Sequence, residues 1–552
     1  MEMKMRFAVL FVILSVLLAS CGFLPPEDDA PFNGIAYPIA DPEELPHAPA
    51  PRLPAPMVST DDWADDGILR LPMRVPLTLN PLLNRDATVA RVLGLIFEPL
   101  AVLDSTMRPV GHLAELEFAL DFSSVVITIR SEAIWSDGLP VTSDDLIFSI
   151  ETLTRAPEDA IYRKHADNIA EIQRISERTV QISFVEATPA AGYSLLFPVI
   201  PRHYFQGETN PASPRNLAPL GNGAFLFDSL VPLQSMTLKR NPYTFRTRAS
   251  IEEIEVLFLP DAQIDVYAFE RGLVDAIRMP FPEWARNPTA KELHVGTFPV
   301  MYFEFIGFNF TQEMFQRLEI RQGIAHAFDA DEAVATLYLH HAQRASAPIH
   351  PSGWMFDPSV QGLPHDNNRA RMLLRPLVTA RAASSDEEYP APLIILVGEE
   401  SPERVAIAYR LAAGLNAAGF ADIGVEVHAV SGDEFLTRLI ANDFCLFIGW
   451  MELSPAPDFA FLFNGEHTTG VQFGSDPYLE SLFAATRVAA TESAFIQAMS
   501  QLQHAFAARL PVLGLSFRHS AVLTSARTHM QTPPPANAVF LYVNEWKISG
   551  YK

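Results

Sequence analysis

Two cysteines, Cys21 and Cys445, are all that 552 residues contain. Neither a disulfide framework nor a cysteine-rich metal cluster can organise such a chain, and the fold must rest on its apolar cores. Basic residues are also scarce. Forty Lys and Arg against 65 Asp and Glu leave a net charge of −25, the opposite of the clustered positive surface that phosphate backbones need. Nucleic acid is therefore not an expected partner, and the acidic balance reads as a solubility feature. Beyond the N-terminus there is no second long apolar run and no repeat of solenoid period. No GxSxG elbow, no HExxH pair and no Cys/His pairing around Cys445 appears. Cys445, inside DFCLFIGW (443–450), reads as a small buried hydrophobe. His340, His341 and His350 lie close in sequence but read as surface or helix-end histidines. No enzyme, metal or cofactor is expected.

What is present begins with an address. Lys4 and Arg6 precede FAVLFVILSVLLAS (7–20), an uninterrupted apolar run. Its fourteen residues would rise roughly 21 Å as a helix, short of the roughly 30 Å hydrocarbon core. Residues 1–20 thus read as a signal peptide rather than a membrane span. Leu18-Ala19-Ser20-Cys21-Gly22 resembles a bacterial lipobox. That resemblance implies cleavage before Cys21, lipidation of Cys21, and anchorage to a membrane facing the periplasm or cell exterior. Ten prolines fall between 22 and 60, so 21–65 reads as an extended spacer that cannot bury enough apolar surface to fold.

From Ile68 onward strands and helices mix. ILRLPM (68–73) and VVITIR (125–130) have the β-branched alternation of strands. In SPERVAIAYRLAAGLNAAGF (401–420) Ser401 stands at a cap, Pro402 in the first turn and Gly419 near the end, which predicts a helix. IGVEVHAV (423–430) follows as a strand, so 392–430 reads as a βαβ unit. Further helices are expected at 317–328, 479–487 and 493–508. The stretch AIWSDGLPVTSDD (133–145) raises the question of catalysis because it holds three aspartates. Asp137-Gly138 is a turn signal, Thr142 with Asp145 is a capping-box variant, and Asp144 and Asp145 suit a helix N-terminus. Each carboxylate has a local task, and scaffold is the preferred reading.

IWSDGLPVTSDDLIFSIETL (134–153) is also the block by which the chain resembles family 5 of the bacterial extracellular solute-binding proteins, the oligopeptide-, dipeptide- and nickel-binding group of ABC importers. LTLNPLL (77–83) and IFEPLAVLD (96–104) look like the opening strand and first helix of that family. FPVIPRHYF (197–205), PLGNGAFLFDSL (219–230), LKRNPYTF (238–245), IEEIEVLFLPDAQIDVYAFERGLVDA (251–276), FIGFNF (305–310), IRQGIAHAFDADEAV (320–334) and FCLFIGW (444–450) follow in family order. Asn222-Gly223-Ala224 departs from the usual Thr-Gly-Pro. The resemblance covers most of 68–552. It implies a mixed α/β fold of the periplasmic-binding-protein type II kind, with lobes closing over a cleft and an extra lobe inserted in the first. The implied boundaries are 66–101, 207–299 and 514–552 for lobe I, 102–206 for lobe II and 300–513 for lobe III, with crossovers near 295–302 and 510–516. The implied function is capture of a peptide or related small solute for an ABC permease and its ATPases, by a protein expected to be a monomer. Two alternatives stay open: a sensory or adaptor lipoprotein that binds without import, and a secreted hydrolase.

The resemblance also points to ligand-contacting residues. In peptide-binding members, the segment after the Gly-Trp pair meets the ligand, and an acid three positions past the Trp holds its amino group. Here the segment is Gly449-Trp450-Met451-Glu452-Leu453, continuing to Asp458, and the acid's position is Leu453. An arginine two positions before the Gly is replaced by Phe447. Both charge anchors are missing, and a buried ammonium without a carboxylate is costly. Dependence on a free α-amine is therefore expected to be weak, unless Glu452 or Asp458 takes over. Arg85, Asp86, Ala87 and Thr88 stand where a loop touches the ligand in oligopeptide binders. Tyr302, Phe303 and Phe305 are candidates for an aromatic cleft wall, with a plain buried strand as the alternative.

Overall fold

The structure is a computed structural model that describes residues 67–208, 210–280, 293–383, 392–421, 423–456, 459, 476–535 and 538–549. The signal segment, Cys21, the proline-rich spacer and Asp458 lie outside the described residues.

Alternation builds the first sheet. In Ile68–Met73 every second side chain (Leu69, Leu71, Met73) is buried, the pattern of a strand with one covered face. It pairs in parallel with Glu253–Phe258, and Ser235–Arg240 and Phe225–Val231 complete four strands. A parallel pair requires a crossover, and here the intervening chain builds a second sheet. Its antiparallel strands run in the order Ala114–Phe118, Ser124–Ile129, Thr179–Phe184 and Ile169–Arg174. This is the inserted region of the expected fold class.

Two expected elements are corrected. Residues 77–83 form no strand, and 96–104 form no helix; the first helix among the described residues is Ala87–Leu93. Asn80 holds the earlier segment irregular: its Nδ2 donates to Asn216 Oδ1 at 3.0 Å, and its Oδ1 accepts from the Leu82 N–H at 3.1 Å. Pro99 cannot donate a helical bond, and the chain there turns into the short strand Ala101–Leu103.

The stretch 133–145 is scaffold in detail. Gly138 takes φ 88°, the left-handed turn conformation that suits glycine. Thr142 and Asp145 form a reciprocal capping box on the helix Ser143–Arg155. Asp145 also accepts from Trp135 Nε1 at 3.2 Å and from the Arg202 backbone N–H at 2.8 Å, so one buried carboxylate ties turn, helix and return chain together. Asp137 meets His203 at 2.8 Å, and Asp144 lies near Arg174 and Arg202.

The third sheet is mixed and large. Its order is Ala276–Pro280, Leu513–Thr524, His294–Phe308, Leu446–Glu452, Leu393–Gly398 and Val425–Val430, with Ala342–Arg344 on the side of Leu513–Thr524. Leu393–Gly398 and Val425–Val430 are parallel and joined by the helix Pro402–Leu415, the expected βαβ unit. Ser401 caps that helix by accepting from the Arg404 N–H. The helix ends before 420, and Gly419 turns the chain at φ 118°. The helices expected near 317–328, 479–487 and 493–508 occupy Leu318–Ala327, Pro477–Arg487 and Glu492–Arg509.

His294–Phe308 and Leu513–Thr524 are the two long members. Their register breaks between Pro299, opposite His519, and Phe303, opposite Phe517. On one side of the break they pair with each other next to Ala276–Pro280; on the other, His294–Phe308 carries Leu446–Glu452. Two cores result. Phe303, Phe305 and Phe447 join a core continuous with the first two sheets, whereas Ile306, Ile448 and the buried Cys445 face the helices on the opposite side. No helix among the described residues is long and apolar enough to cross a membrane.

The scaffold role of Asp145 is testable. Asp145→Ala leaves the Trp135 indole N–H and two backbone donors without partners, and should lower unfolding free energy by about 3 kcal/mol. Chemical denaturation checks this; a loss below about 1 kcal/mol would contradict the assignment.

Candidate functional site

The strand Leu446–Glu452 delivers the chain to the site. Past its end, the Leu453 N–H donates to the Met301 carbonyl at 2.7 Å, so Leu453 and Met301 continue the ladder side by side. Pairing register sorts the side chains. Met451 lies opposite Phe303 and Gly449 opposite Phe305 on one face, while Trp450 lies opposite Glu304 and Glu452 opposite Tyr302 on the other.

On the first face Phe303, Phe305, Phe447 and Phe517 pack ring to ring with centroids 5.2–5.8 Å apart, filling space behind the site. The second face is polar. Tyr302 stacks on Trp450 at 4.8 Å, Arg518 lies 3.9 Å over the Tyr302 ring, and Arg404 lies 5.5 Å from the Trp450 ring. Glu304 is fully buried there, 3.6 Å from Arg518 Nε, and accepts from Tyr338 Oη at 2.5 Å.

Beside Met301 and Leu453 lies a cavity of ≈ 20 Å³, about the room one water needs. Met107 and Tyr193, from the inserted region, close one side; Met301, Ile349, His350, Met355, Leu453 and Phe459 form the other. Its walls are apolar apart from Tyr193, His350 and Ser454, and no charged side chain is among the described residues that line it.

Each polar group has an accountable state. Burial holds the Tyr193 phenol well above its ordinary pKa, so it stays a hydroxyl. Tyr193 Oη donates to the Met107 carbonyl at 2.8 Å and accepts from Trp354 Nε1 at 3.0 Å. Ser454 Oγ accepts from the Ala456 N–H at 3.2 Å. His350 opens a tight turn, with the Gly353 N–H donating to its carbonyl. Its Nδ1 accepts from the Ser352 N–H at 3.0 Å, and its ring lies 4.7 Å from that of Phe517. Burial, with His519 nearby, lowers its pKa to about 3, so the ring is neutral. Since Nδ1 accepts, the single proton belongs on Nε2. Nε2 is buried and has no hydrogen-bond partner among the described residues.

Contacts around Trp354 join the two sides. Its backbone N–H donates to the Thr106 carbonyl at 2.8 Å, the Arg108 guanidinium lies 4.3 Å from its ring, and Phe495 stacks on it at 5.7 Å. Arg108 holds Glu492 through two bonds of 2.8 and 3.1 Å, and Arg487 pairs with Glu186.

Of the residues expected to meet ligand, Leu453 lines this cavity. Tyr302, Phe303, Phe305, Phe447, Gly449, Trp450 and Met451 are strand residues and are not among the described residues that line it, Tyr302 and Trp450 lying on the face opposite Phe303 and Phe305, and Glu452 is exposed at the strand end. The 85–88 patch is elsewhere in structural terms. Asp86 Oδ1 is committed as the cap of Ala87–Leu93, accepting from the Thr88 N–H, the Val89 N–H and Thr88 Oγ1 at 2.6–3.0 Å. Ala87 opens that helix, Thr88 Oγ1 accepts from the Arg74 N–H, and Arg85 pairs with Asp159 at 3.0 Å. An Asp before an apolar helical run was the available signal for this. His350 is corrected from a surface histidine to a buried one, 2% exposed. Neither it nor Trp354, Tyr193 and Arg108 carried a sequence signal, because their proximity is created by the fold. Among the described residues no group of three or more His, Cys, Asp or Glu is placed to hold a metal ion.

Residues 108–473 match the model of the bacterial extracellular solute-binding proteins, family 5, middle region, more than half of the chain. The chain belongs to this family. It is thus a substrate-binding protein of the ABC-transporter type, and its family is one of exported proteins. A binding protein of Brucella melitensis biotype 1 is 24% identical over 441 residues, covering 68% of this chain and 70% of that one. The ABC transporter substrate-binding protein CtaP of Listeria monocytogenes superposes with a TM-score of 0.75 at 18% identity, over 88% of this chain and 100% of that one. The oligopeptide-binding protein AppA of Bacillus subtilis, solved with a nonapeptide, gives 0.61 at 16% identity over 87% and 98%. These family 5 structures share the mixed α/β fold described above.

Tyr193→Phe removes the hydroxyl between Trp354 Nε1 and the Met107 carbonyl, at a cost of about 1–2 kcal/mol. Hydrogen exchange in the peptides around Trp354 should speed up by roughly 5–30-fold. Unchanged exchange there would show that this contact does not hold the two sides together.

Proposed function

We propose that this protein is the lipid-anchored capture subunit of an ABC importer, which encloses a peptide or related small solute between two lobes and hands it to a membrane permease. Cys21 would carry the lipid, residues 21–65 would hold the globule off the bilayer, and the capture unit would act as a monomer without a cofactor. The lobes would follow the boundaries 66–101, 207–299 and 514–552, 102–206, and 300–513.

One observation carries this reading: the cavity is walled from two sides that are joined through the two long strands whose register breaks at 299–303. A broken ladder is where backbone can bend. Contacts made only when the sides meet supply the differential affinity that shifts a two-state equilibrium toward the closed form. In this reading the ligand is held and released with its covalent bonds intact.

Native mass spectrometry of the protein purified from its own host should reveal a co-purified solute. Restoring that solute to stripped protein should reduce the radius of gyration measured by X-ray scattering. A scattering profile indifferent to every solute in a broad peptide and metabolite library would overturn the capture reading.

A further inference from the structure

The cavity is neutral, and one of its polar atoms is unspent. Tyr193 both donates and accepts, and Ser454, exposed at the rim, accepts from the Ala456 N–H. His350 Nε2 is buried without a partner among the described residues, and the Ser352 N–H on Nδ1 makes Nε2 the protonated nitrogen. A buried donor without an acceptor is unfavourable until something accepts from it. The cavity that His350 helps to line is walled also by Met301, Ile349, Met355 and Leu453, which offer apolar contact and no charge. An ammonium pressed into such walls would lose its water without gaining a carboxylate. A carbonyl on an uncharged group would gain the His350 hydrogen bond and keep its apolar surroundings.

We propose that this cavity receives an uncharged, apolar ligand end, of the kind an N-acylated peptide presents, and that His350 Nε2–H donates to its carbonyl oxygen. This rests on the capture function proposed above and narrows its ligand class. The Leu453 side chain, next to the ladder bond to Met301, packs against the acyl group where a charged terminus would be excluded. Because the cavity as described is small, the acyl end enters as the two sides part and is enclosed as they meet.

The test uses the full-length protein in detergent and two probes that differ at one end, N-acetyl-leucyl-leucinamide and leucyl-leucinamide, in isothermal titration at pH 7.5. The acetylated probe should bind at least about 100-fold more tightly than the ammonium-bearing one. His350→Phe, which keeps a ring against Phe517, should weaken the acetylated probe about tenfold, and His350→Gln, which retains an N–H donor, should restore most of the loss. Thermal melts of both variants report on folding. Equal affinity for the two probes, failure of both to bind, or an affinity that His350→Phe leaves unchanged would each overturn the proposal. The capture reading is judged separately: a charged or unrelated solute co-purifying from the host and closing the protein would sink this inference while leaving capture standing.

Discussion

The two long strands of the third sheet, His294–Phe308 and Leu513–Thr524, pair along their length with a fault in their register. Between Pro299 and Phe303 one chain advances further than its partner, which moves only from His519 to Phe517. Pro299 has no N–H to give a ladder, and a bulge bends and twists the strand that carries it. Met301 sits inside this fault, yet its carbonyl accepts the Leu453 N–H and its side chain lines the cavity. The break in the ladder and the wall of the site therefore share Met301. Any bend at 299–303 reshapes the cavity directly, with no relay of side chains needed between them.

The pleat of the same strands decides where charge can go. Glu304, Arg518 and Arg404 are buried on the face away from Phe303 and Phe305. Buried charges are tolerated when paired and hydrogen-bonded, and here Tyr338 bonds Glu304 while the Tyr302 and Trp450 rings cover the guanidinium groups. Consequently the buried charges beside the site lie on one face of the sheet, next to the apolar core of Ile306 and Ile448, and the aromatic cluster of Phe303 and Phe305 lies on the other. A one-residue slip would exchange these faces, so the register that fixes the fold also keeps the cavity neutral. A comparable clamp joins Glu98 to His112 and Arg246. Burial opposes ionisation of Glu98, but the His112 hydrogen bond and the Arg246 charge outweigh it and hold its carboxyl below the usual range.

The sequence was legible wherever a feature is local. The strand Ile68–Met73, the capping box at Thr142 and Asp145, and the Ser401-capped helix all depend on residues within a few positions of one another. It misled at 77–83, where Asn80 is fixed by Asn216 from far along the chain. The site was the least legible part. Leu453 could be placed because it follows the Gly-Trp pair, but His350 is buried only because Phe517 and the cavity meet around it. An unsatisfied donor is a property of three-dimensional neighbours, and no periodicity or spacing encodes it.

The contacts that join the two sides are weak one by one, and this follows from what a capture protein has to do. Arg108 with Glu492 and Arg487 with Glu186 are substantially exposed, and exposed pairs contribute about 0–1 kcal/mol each. The two hydrogen bonds of Trp354 add roughly 1 kcal/mol apiece. A latch of a few kcal/mol can be tipped by a ligand of ordinary affinity, whereas a much stronger one would stay shut whether or not the cavity held anything. In the proposed cycle the polar latch sets the angle at which the sides meet. The apolar cavity, with its one waiting donor, then decides which solute makes that meeting favourable.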